Sequence, residues 1–300
     1  MNKKENFLKK DRILKAVTSD RFFRISVVKT TDVVREAQKK HNLSLISSII
    51  LGRALTGAML LASDLKNEER VSLRIEGSGP VGHLIAEANS SGEIRGYVLN
   101  PAAVLDPVNG AVIGDGLGIG LLTVSKILYN EARPVNGTVE LISGNISEDL
   151  AYYLYQSEQI ASAVSVDVSL DNTGMVSHAG GVLIQALPGA PADKSELLQQ
   201  NLKEMKSISS LLRDGNYVDD ILRIVTRPYE VKELSRYPVH FFCRCSKERF
   251  KNALYLVELD ELVDMSDKGH DLVCHFCNST YHISGTEIGE IIQDLKIKMN

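Results

Sequence analysis

Cysteine is missing from everything before residue 243: the four in this chain of 300 residues, Cys243, Cys245, Cys274 and Cys277, all fall within one C-terminal stretch. A disulfide framework stapling a secreted domain of this size is thereby excluded, and a reducing, cytoplasmic compartment is expected. Charge of one sign is missing as well. With 34 Lys and Arg against 38 Asp and Glu, a net charge of -4 leaves no electrostatic footprint for nucleic acid or for an anionic membrane, and neither is expected as a partner. The N-terminus has no apolar core of a signal peptide: Lys3, Lys4, Lys9 and Lys10 are followed directly by Asp11 and Arg12, so export is not expected. Long apolar runs are scarce. Residues 44–63, SLISSIILGRALTGAMLLAS, come close to the length of a membrane span, but Arg53 sits mid-segment, where charge is expensive in lipid. A helix buried in a protein core is predicted instead.

What is present suits a globular protein, since 44% of residues are hydrophobic. The run RFFRISVVK at 21–29 is rich in β-branched and aromatic residues, and Val71, Leu73 and Ile75 alternate with polar neighbours. Both patterns predict strands. Between them lie two helical stretches, one opened by Thr30 or Thr31 as N-cap with Val33, Val34 and Ala37 on one face, the other the apolar 44–63 segment. Short strands broken by turn residues follow at 83–88 and 94–99, an antiparallel meander, with more at 117–124, 137–142, 163–170 and 175–185 and a helix at 147–160. Asp171-Asn172-Thr173-Gly174 supplies a hairpin turn. Strands and helices do not alternate strictly, which predicts an α+β fold: an N-terminal antiparallel-sheet domain with packed helices over residues 1–187.

Pro188-Gly189-Ala190-Pro191 punctuates the chain, and Asp193-x-x-Glu196 has capping-box spacing. One helix is then predicted to carry Leu198, Leu202, Met205, Ile208 and Leu212 as a stripe as far as Gly215, and a second to carry Val218, Ile221, Leu222 and Val225. Residues 188–234 thus read as an amphipathic helical linker, its apolar faces suited to core packing and its position also permitting a docked, releasable segment, ahead of a small C-terminal metal-binding domain at 235–300.

In that last domain Cys243-Arg244-Cys245 and Cys274-His275-Phe276-Cys277 stand 28 residues apart, two ligand pairs able to complete a tetrahedron of sulfur around one zinc ion. The Cys-x-x-Cys pair suits the tip of a hairpin. The Cys-x-Cys pair needs a bent backbone, since residues i and i+2 of a strand lie nearly two rises apart. A disulfide within it would close a very small, strained and reducible ring, suited to a switch. Zinc would hold all four sulfurs as thiolates, the form that peroxide attacks. Arg244, Lys247, Arg249 and Lys268 are candidates to offset that charge, while His240, His275 and His282 lie near but are not predicted as ligands. Ser246 is placed to cap a helix bearing Phe250, Leu254 and Val257, and Ser284-x-x-Glu287 to box one bearing Ile288, Ile291, Ile292 and Leu295. So small a module needs its metal to stay folded.

Three other signals point elsewhere. Gly77-Ser78-Gly79-Pro80-Val81-Gly82 matches a dinucleotide fingerprint, but Pro80 and the early turn at 90–92 leave no room for the helix, and Leu99 and Asn100 stand where an acidic residue belongs. The glycines, like those at 114–120, are predicted to serve tight turns. A thioredoxin-like enzyme would start a helix with its Cys-x-x-Cys. A nucleic-acid-binding zinc ribbon fits poorly with the acidic balance of residues 240–283.

The Cys-x-Cys, 28-residue spacer and Cys-x-x-Cys arrangement resembles the bacterial redox-regulated 33 kDa heat-shock chaperone family. Asp11-Arg12 through Ala16, Gly52 to Ala62 with its Gly-Arg-Ala-Leu-Thr-Gly start, Gly77 to Pro80 and Arg95-Gly96-Tyr97-Val98 look like that family's core patterns, so the resemblance covers nearly the whole chain. It implies an ATP-independent holdase with no catalytic residue. The reduced form, with zinc on Cys243, Cys245, Cys274 and Cys277, is implied to be inactive. Oxidation is implied to pair Cys243 with Cys245 and Cys274 with Cys277, to release zinc and unfold the linker. The active form is implied to be a homodimer that binds unfolding client proteins and hands them over to ATP-dependent chaperones. The other class of function compatible with the residues is a constitutive zinc-ribbon adaptor for a folded protein or nucleic acid.

Overall fold

Alternation of apolar and polar residues builds the first sheet. In the computed structural model, which describes residues 10–105, 110, 112–129, 131 and 133–299, Val71, Leu73 and Ile75 are buried along β3 (Arg70–Gly77), while Arg70, Arg74 and Glu76 face water. β4 (His83–Asn89) and β5 (Glu93–Val98) repeat the pattern and form the expected meander with it. β6 (Gly120–Ile127) pairs with the other side of β3, and β7 (Val135–Glu140) pairs with β6. β11 (His240–Phe241) lies parallel to β5 and completes a six-stranded sheet, order β11-β5-β4-β3-β6-β7.

A second, fully antiparallel sheet holds five strands in the order β10 (Val231–Pro238), β1 (Arg12–Thr18), β2 (Phe23–Lys29), β9 (Val176–Ala186) and β8 (Ser162–Leu170). The antiparallel α+β class holds, carried by two sheets with a helical core between them. That core is α2 (Leu45–Ala62), apolar around its circumference and packed on strands of both sheets. Such a helix belongs inside a protein or a bilayer. Here Ile50, Leu51, Leu55 and Met59 are buried by neighbouring protein. Ser44 caps it by accepting a hydrogen bond from the Ser47 N–H at 3.3 Å. Arg53, its one charge, reaches Asp167 of β8 at 3.4 Å.

α1 (Thr31–His41) starts where expected, but a different residue caps it. The Thr30 hydroxyl bonds Thr56 at 2.7 Å, and Asp11 is the acceptor for the helix: its Oδ2 takes the N–H groups of Asp32 and Val33 at 2.6 and 2.9 Å. Its Oδ1 pairs with Lys29 Nζ at 2.7 Å. Burial outweighs the attraction of Lys29 and lifts the Asp11 carboxyl to about 6.

The glycine-rich loops hold each other. Ser78, Gly79 and Val81 donate backbone hydrogen bonds to Ile119, Leu117 and Gly116 at 2.9, 2.7 and 3.0 Å. A Cβ on Gly77 would lie 2.1 Å from the Leu117 carbonyl oxygen. The glycines therefore permit backbone to meet backbone, in keeping with the turn reading.

After α3 (Ile146–Gln156), three helices cover the face of the five-stranded sheet that points away from α2: α4 (Ala192–Glu204), α5 (Ile208–Arg213) and α6 (Val218–Thr226). The single stripe predicted through Leu212 is two helices, because the backbone is extended at Met205 and Ser207 starts a new one, accepting from the Ser210 N–H at 3.3 Å. The box predicted at Asp193 and Glu196 does not form: α4 begins at Ala192 behind Pro191, with no side-chain cap. Leu198, Ile208, Leu211, Leu212, Ile221 and Val225 bury Leu14, Phe23, Ile25, Val27, Val182 and Ile184. The opposite sheet face sends Ile13, Val28 and Leu183 into the α2 core. With both faces covered, β2 is buried at all but one of its positions and β9 without a break from Ala179 to Gln185. A polar contact joins the layers: Asp167 accepts from the Ser209 N–H of α5 at 3.1 Å.

Candidate metal centre

The chain divides between Phe242 and Cys243 into two compact units, and all four cysteines belong to the second, Cys243–Asn300. Residues 242–246 run without regular structure, which supplies the bend that a Cys-x-Cys pair requires. Ser246 then ends the irregular segment by capping α7 (Lys247–Leu254), accepting from the Arg249 N–H at 3.3 Å. α8 (Leu259–Ser266) follows, and Gly269, at φ +73°, turns the chain with no room for a side chain: a Cβ there would lie 2.6 Å from the Ile283 carbonyl oxygen.

The second pair lies at the tip of a two-stranded hairpin, β12 (His270–Val273) and β13 (Thr280–Ile283), as the flanking sequence predicts. Cys277 and Asn278 both donate backbone N–H groups to the Cys274 carbonyl, at 3.3 and 2.7 Å, and Cys274 donates to the Ser279 carbonyl at 2.9 Å. Asn278 takes the left-handed conformation, φ +56°, that closes this knuckle. Asn tolerates it better than most residues.

Behind the sulfurs lies a small core of Leu254, Leu262, Ile283, Ile288, Ile291 and Ile292. The last three come from α9 (Gly285–Met299), whose box forms as predicted: Ser284 N–H to Glu287 Oε2 at 3.0 Å, Glu287 N–H to Ser284 Oγ at 3.3 Å.

The four Sγ atoms lie within 4.8 Å of one another. Cys243 and Cys274 approach to 3.7 Å, Cys245 and Cys277 to 3.3 Å, and no disulfide joins any of the four. Among the described residues this is the one cluster able to hold a metal ion, and a convergent all-sulfur donor set is what a soft, tetrahedral ion takes. The electrostatics are uneven. Burial pushes the Cys274 thiol up to about 12. Burial pushes the same way at Cys277, but hydrogen bonds with the Ser279 hydroxyl and N–H and with the Cys245 and Cys274 sulfurs overcome it and hold that thiol down at about 7. The surroundings of Cys277 thus favour its thiolate more than those of Cys274 favour its own.

Some sequence expectations shift. Lys247, a candidate to offset thiolate charge, instead pairs with Glu287 at 2.7 Å, and His282 pairs with Asp271 at 2.7 Å. Two polar partners of the sulfurs were not foreseen: Ser279, 3.3 Å from Cys277 Sγ, and Tyr281, whose hydroxyl is 3.2 Å from Cys245 Sγ. Ser279 lies next to the knuckle and Tyr281 on the strand that leaves it, and no local pattern points either of them at a sulfur.

The model of the Hsp33 protein family matches residues 11–284, which spans both sheets, the helices over them and all four cysteines. The chain belongs to the Hsp33 family. It is 39% identical over 292 residues to the 33 kDa chaperonin of Desulforamulus reducens, covering 96% of this chain and 99% of that protein. Against the 33 kDa chaperonin of Carboxydothermus hydrogenoformans it is 41% identical over 287 residues, covering 93% and 97%. Its fold is similar to the crystal structure of the 33 kDa chaperonin, or heat shock protein 33 homologue, of Thermotoga maritima, with a TM-score of 0.89, 34% identity and coverage of 96% and 99%. Membership of Hsp33 makes this a non-enzymatic chaperone, a protein whose work is to bind unfolded clients.

Proposed function

We propose that this Hsp33 is a redox-regulated, ATP-independent holdase of the cytoplasm, silent while reduced and zinc-bound. The observation that carries this reading is the four-sulfur cluster at the head of the C-terminal unit. Four thiolates at about 2.3 Å from one zinc ion would stand roughly 3.8 Å apart, close to the 3.7 Å between Cys243 and Cys274, while Cys245 and Cys277, at 3.3 Å, would have to part slightly. Cys243 and Cys245 with Cys274 and Cys277 would hold the ion, and in doing so would join the irregular start of the C-terminal unit to the hairpin, halves that the few buried aliphatic side chains would not hold alone.

Oxidation acts on the ligands themselves. A thiolate sulfur attacks one oxygen of hydrogen peroxide, the O–O bond breaks, and a sulfenic acid forms as hydroxide leaves and takes a proton from solvent to become water. A second cysteine attacks that sulfur, the S–S bond forms as the S–O bond breaks, and the hydroxide leaves as a second water with the attacking thiol's proton, so one peroxide is reduced for each disulfide. Cys243 with Cys245 and Cys274 with Cys277 are the proposed pairs, and two disulfides leave no thiolate for the metal.

The consequence reaches the linker. Helices α4 to α6 cover apolar residues of β1, β2 and β9, so their release bares two apolar surfaces, that of the helices and that of the sheet. These are the proposed client-holding surfaces, presented by a homodimer that later passes clients to ATP-dependent chaperones. The test is light scattering of a chemically unfolded client, with zinc release followed in the same sample. Oxidised, metal-free protein is expected to suppress aggregation and reduced, zinc-bound protein to leave it unchanged. Equal suppression by both would remove the switch, and loss of binding on oxidation would mark a constitutive zinc-ribbon adaptor.

A further inference from the structure

Tyr281 stands on β13 opposite Leu272, in the hairpin that carries Cys274 and Cys277. Its hydroxyl reaches to the other half of the cluster, 3.2 Å from Cys245 Sγ and 3.3 Å from the Cys245 carbonyl oxygen. The ring is braced from behind by Phe250 of α7, with centroids 5.3 Å apart and planes tilted by 37°. One side chain therefore fastens the irregular Cys-x-Cys segment to the hairpin, across 36 positions of sequence, through a group that is not a metal ligand.

The chemistry of that contact depends on the state of the sulfur. A metal-bound thiolate is an acceptor, so the phenol O–H donates to it. The hydrogen bond draws on the lone-pair density that an electrophilic peroxide oxygen must reach, and it fixes the side-chain rotamer of Cys245. Partners of this kind orient a ligand and tune its reactivity, and losing one typically costs tenfold to a hundredfold in metal affinity or activity. The contact holds Cys245 Sγ where it stands, and so opposes any movement of that sulfur toward Cys243.

We infer that Tyr281 is a positioning residue that clamps Cys245 through its hydroxyl and so sets the oxidant exposure at which the cluster lets its metal go. This rests on the redox-switch reading, which it deepens by naming a residue that sets the threshold.

The experiment is peroxide-driven zinc release from the full chain, wild type against Tyr281→Phe, which keeps the ring and its contact with Phe250. A second readout is the sulfur-to-metal charge-transfer band of the cobalt-substituted proteins, which reports on the sulfurs without any client or oxidant. Tyr281→Phe is expected to release zinc roughly tenfold faster and to shift the cobalt band. A third protein with 3-fluorotyrosine in place of Tyr281, a stronger hydrogen-bond donor of nearly the same size, is expected to release zinc more slowly than wild type. That opposite direction cannot come from a folding defect, so it decides the matter even if the Phe variant folds poorly. An unchanged band with wild-type release rates in both variants would overturn the proposal. If wild type keeps its zinc under peroxide while the Phe variant still shifts the band, the switch reading fails and the contact between Tyr281 and Cys245 stands.

Discussion

In the N-terminal unit Leu55 of α2 has no exposure, walled in by strands of two sheets, while in the C-terminal unit Ile292 of α9 is 8% exposed and has only a handful of buried aliphatic neighbours. The first environment needs nothing but burial. A fully buried Leu or Ile contributes about 1.5–3 kcal/mol, and a core of that extent offsets the entropy of ordering its own chain. The second has a far smaller apolar cluster, and four sulfurs able to hold a metal ion converge in the same unit. On the proposed reading the two units divide labour by how they are held: one by contacts that ordinary redox chemistry leaves alone, the other by ligands that are themselves oxidisable.

Metal removal strains this contrast hardest. Chelation of the reduced protein is expected to abolish ordered structure in residues 243–300, since structural zinc is worth on the order of 10–16 kcal/mol in small modules. Amides of α2 should keep their hydrogen-exchange protection, and a C-terminal unit that stays folded without metal would collapse the distinction. A smaller effect lies inside the N-terminal unit. Asp11 has a folded-state value of about 6 against 3.8 for an ordinary carboxyl, so the folded state holds the proton more tightly. Its contribution is fully present below about pH 4 and is lost as pH rises through 6, a decline of about 3 kcal/mol. Urea unfolding of wild type and Asp11→Asn followed at α2 should show their stability difference moving in that direction over this interval. The smallest expected effect is at the seam between sheet and linker. At Asp167 burial raises the carboxyl's value, but the Ser209 hydroxyl and N–H, Arg53 and Ser207 outweigh it and favour the charged form. Asp167→Asn is expected to weaken docking of α5 by about 1–2 kcal/mol, read as faster amide exchange at 208–213 with zinc affinity unchanged.

Much of this architecture is legible from residue patterns, and the exceptions share a cause. The meander at β3 to β5, the buried helix at 45–62 and the Cys-x-x-Cys hairpin each follow from local alternation, composition or turn residues. β1, with Arg12 and Lys15 among its apolar residues, escapes such reading because its pairing with β2 and β10 is what makes it a strand. The cap on α1 escapes for the same reason, since Asp11 lies two elements earlier in the chain. At the metal centre the four cysteines stand out by spacing alone, whereas Tyr281 declares itself only when hairpin and Cys-x-Cys segment are brought together. Local signals mark what each segment forms, and side chains that act at a distance need the fold.

The place of β10 in the five-stranded sheet bears on how the protein is made. β10 spans Val231–Pro238 and is the partner of β1, which spans Arg12–Thr18, so the sheet cannot finish until almost four-fifths of the chain has left the ribosome. At 5–20 residues per second, a synthesis rate typical of cells, β1 waits roughly ten seconds or more with one edge unpaired. For that interval the nascent protein carries an open strand edge and an uncovered apolar sheet face, and is itself in the position of a client.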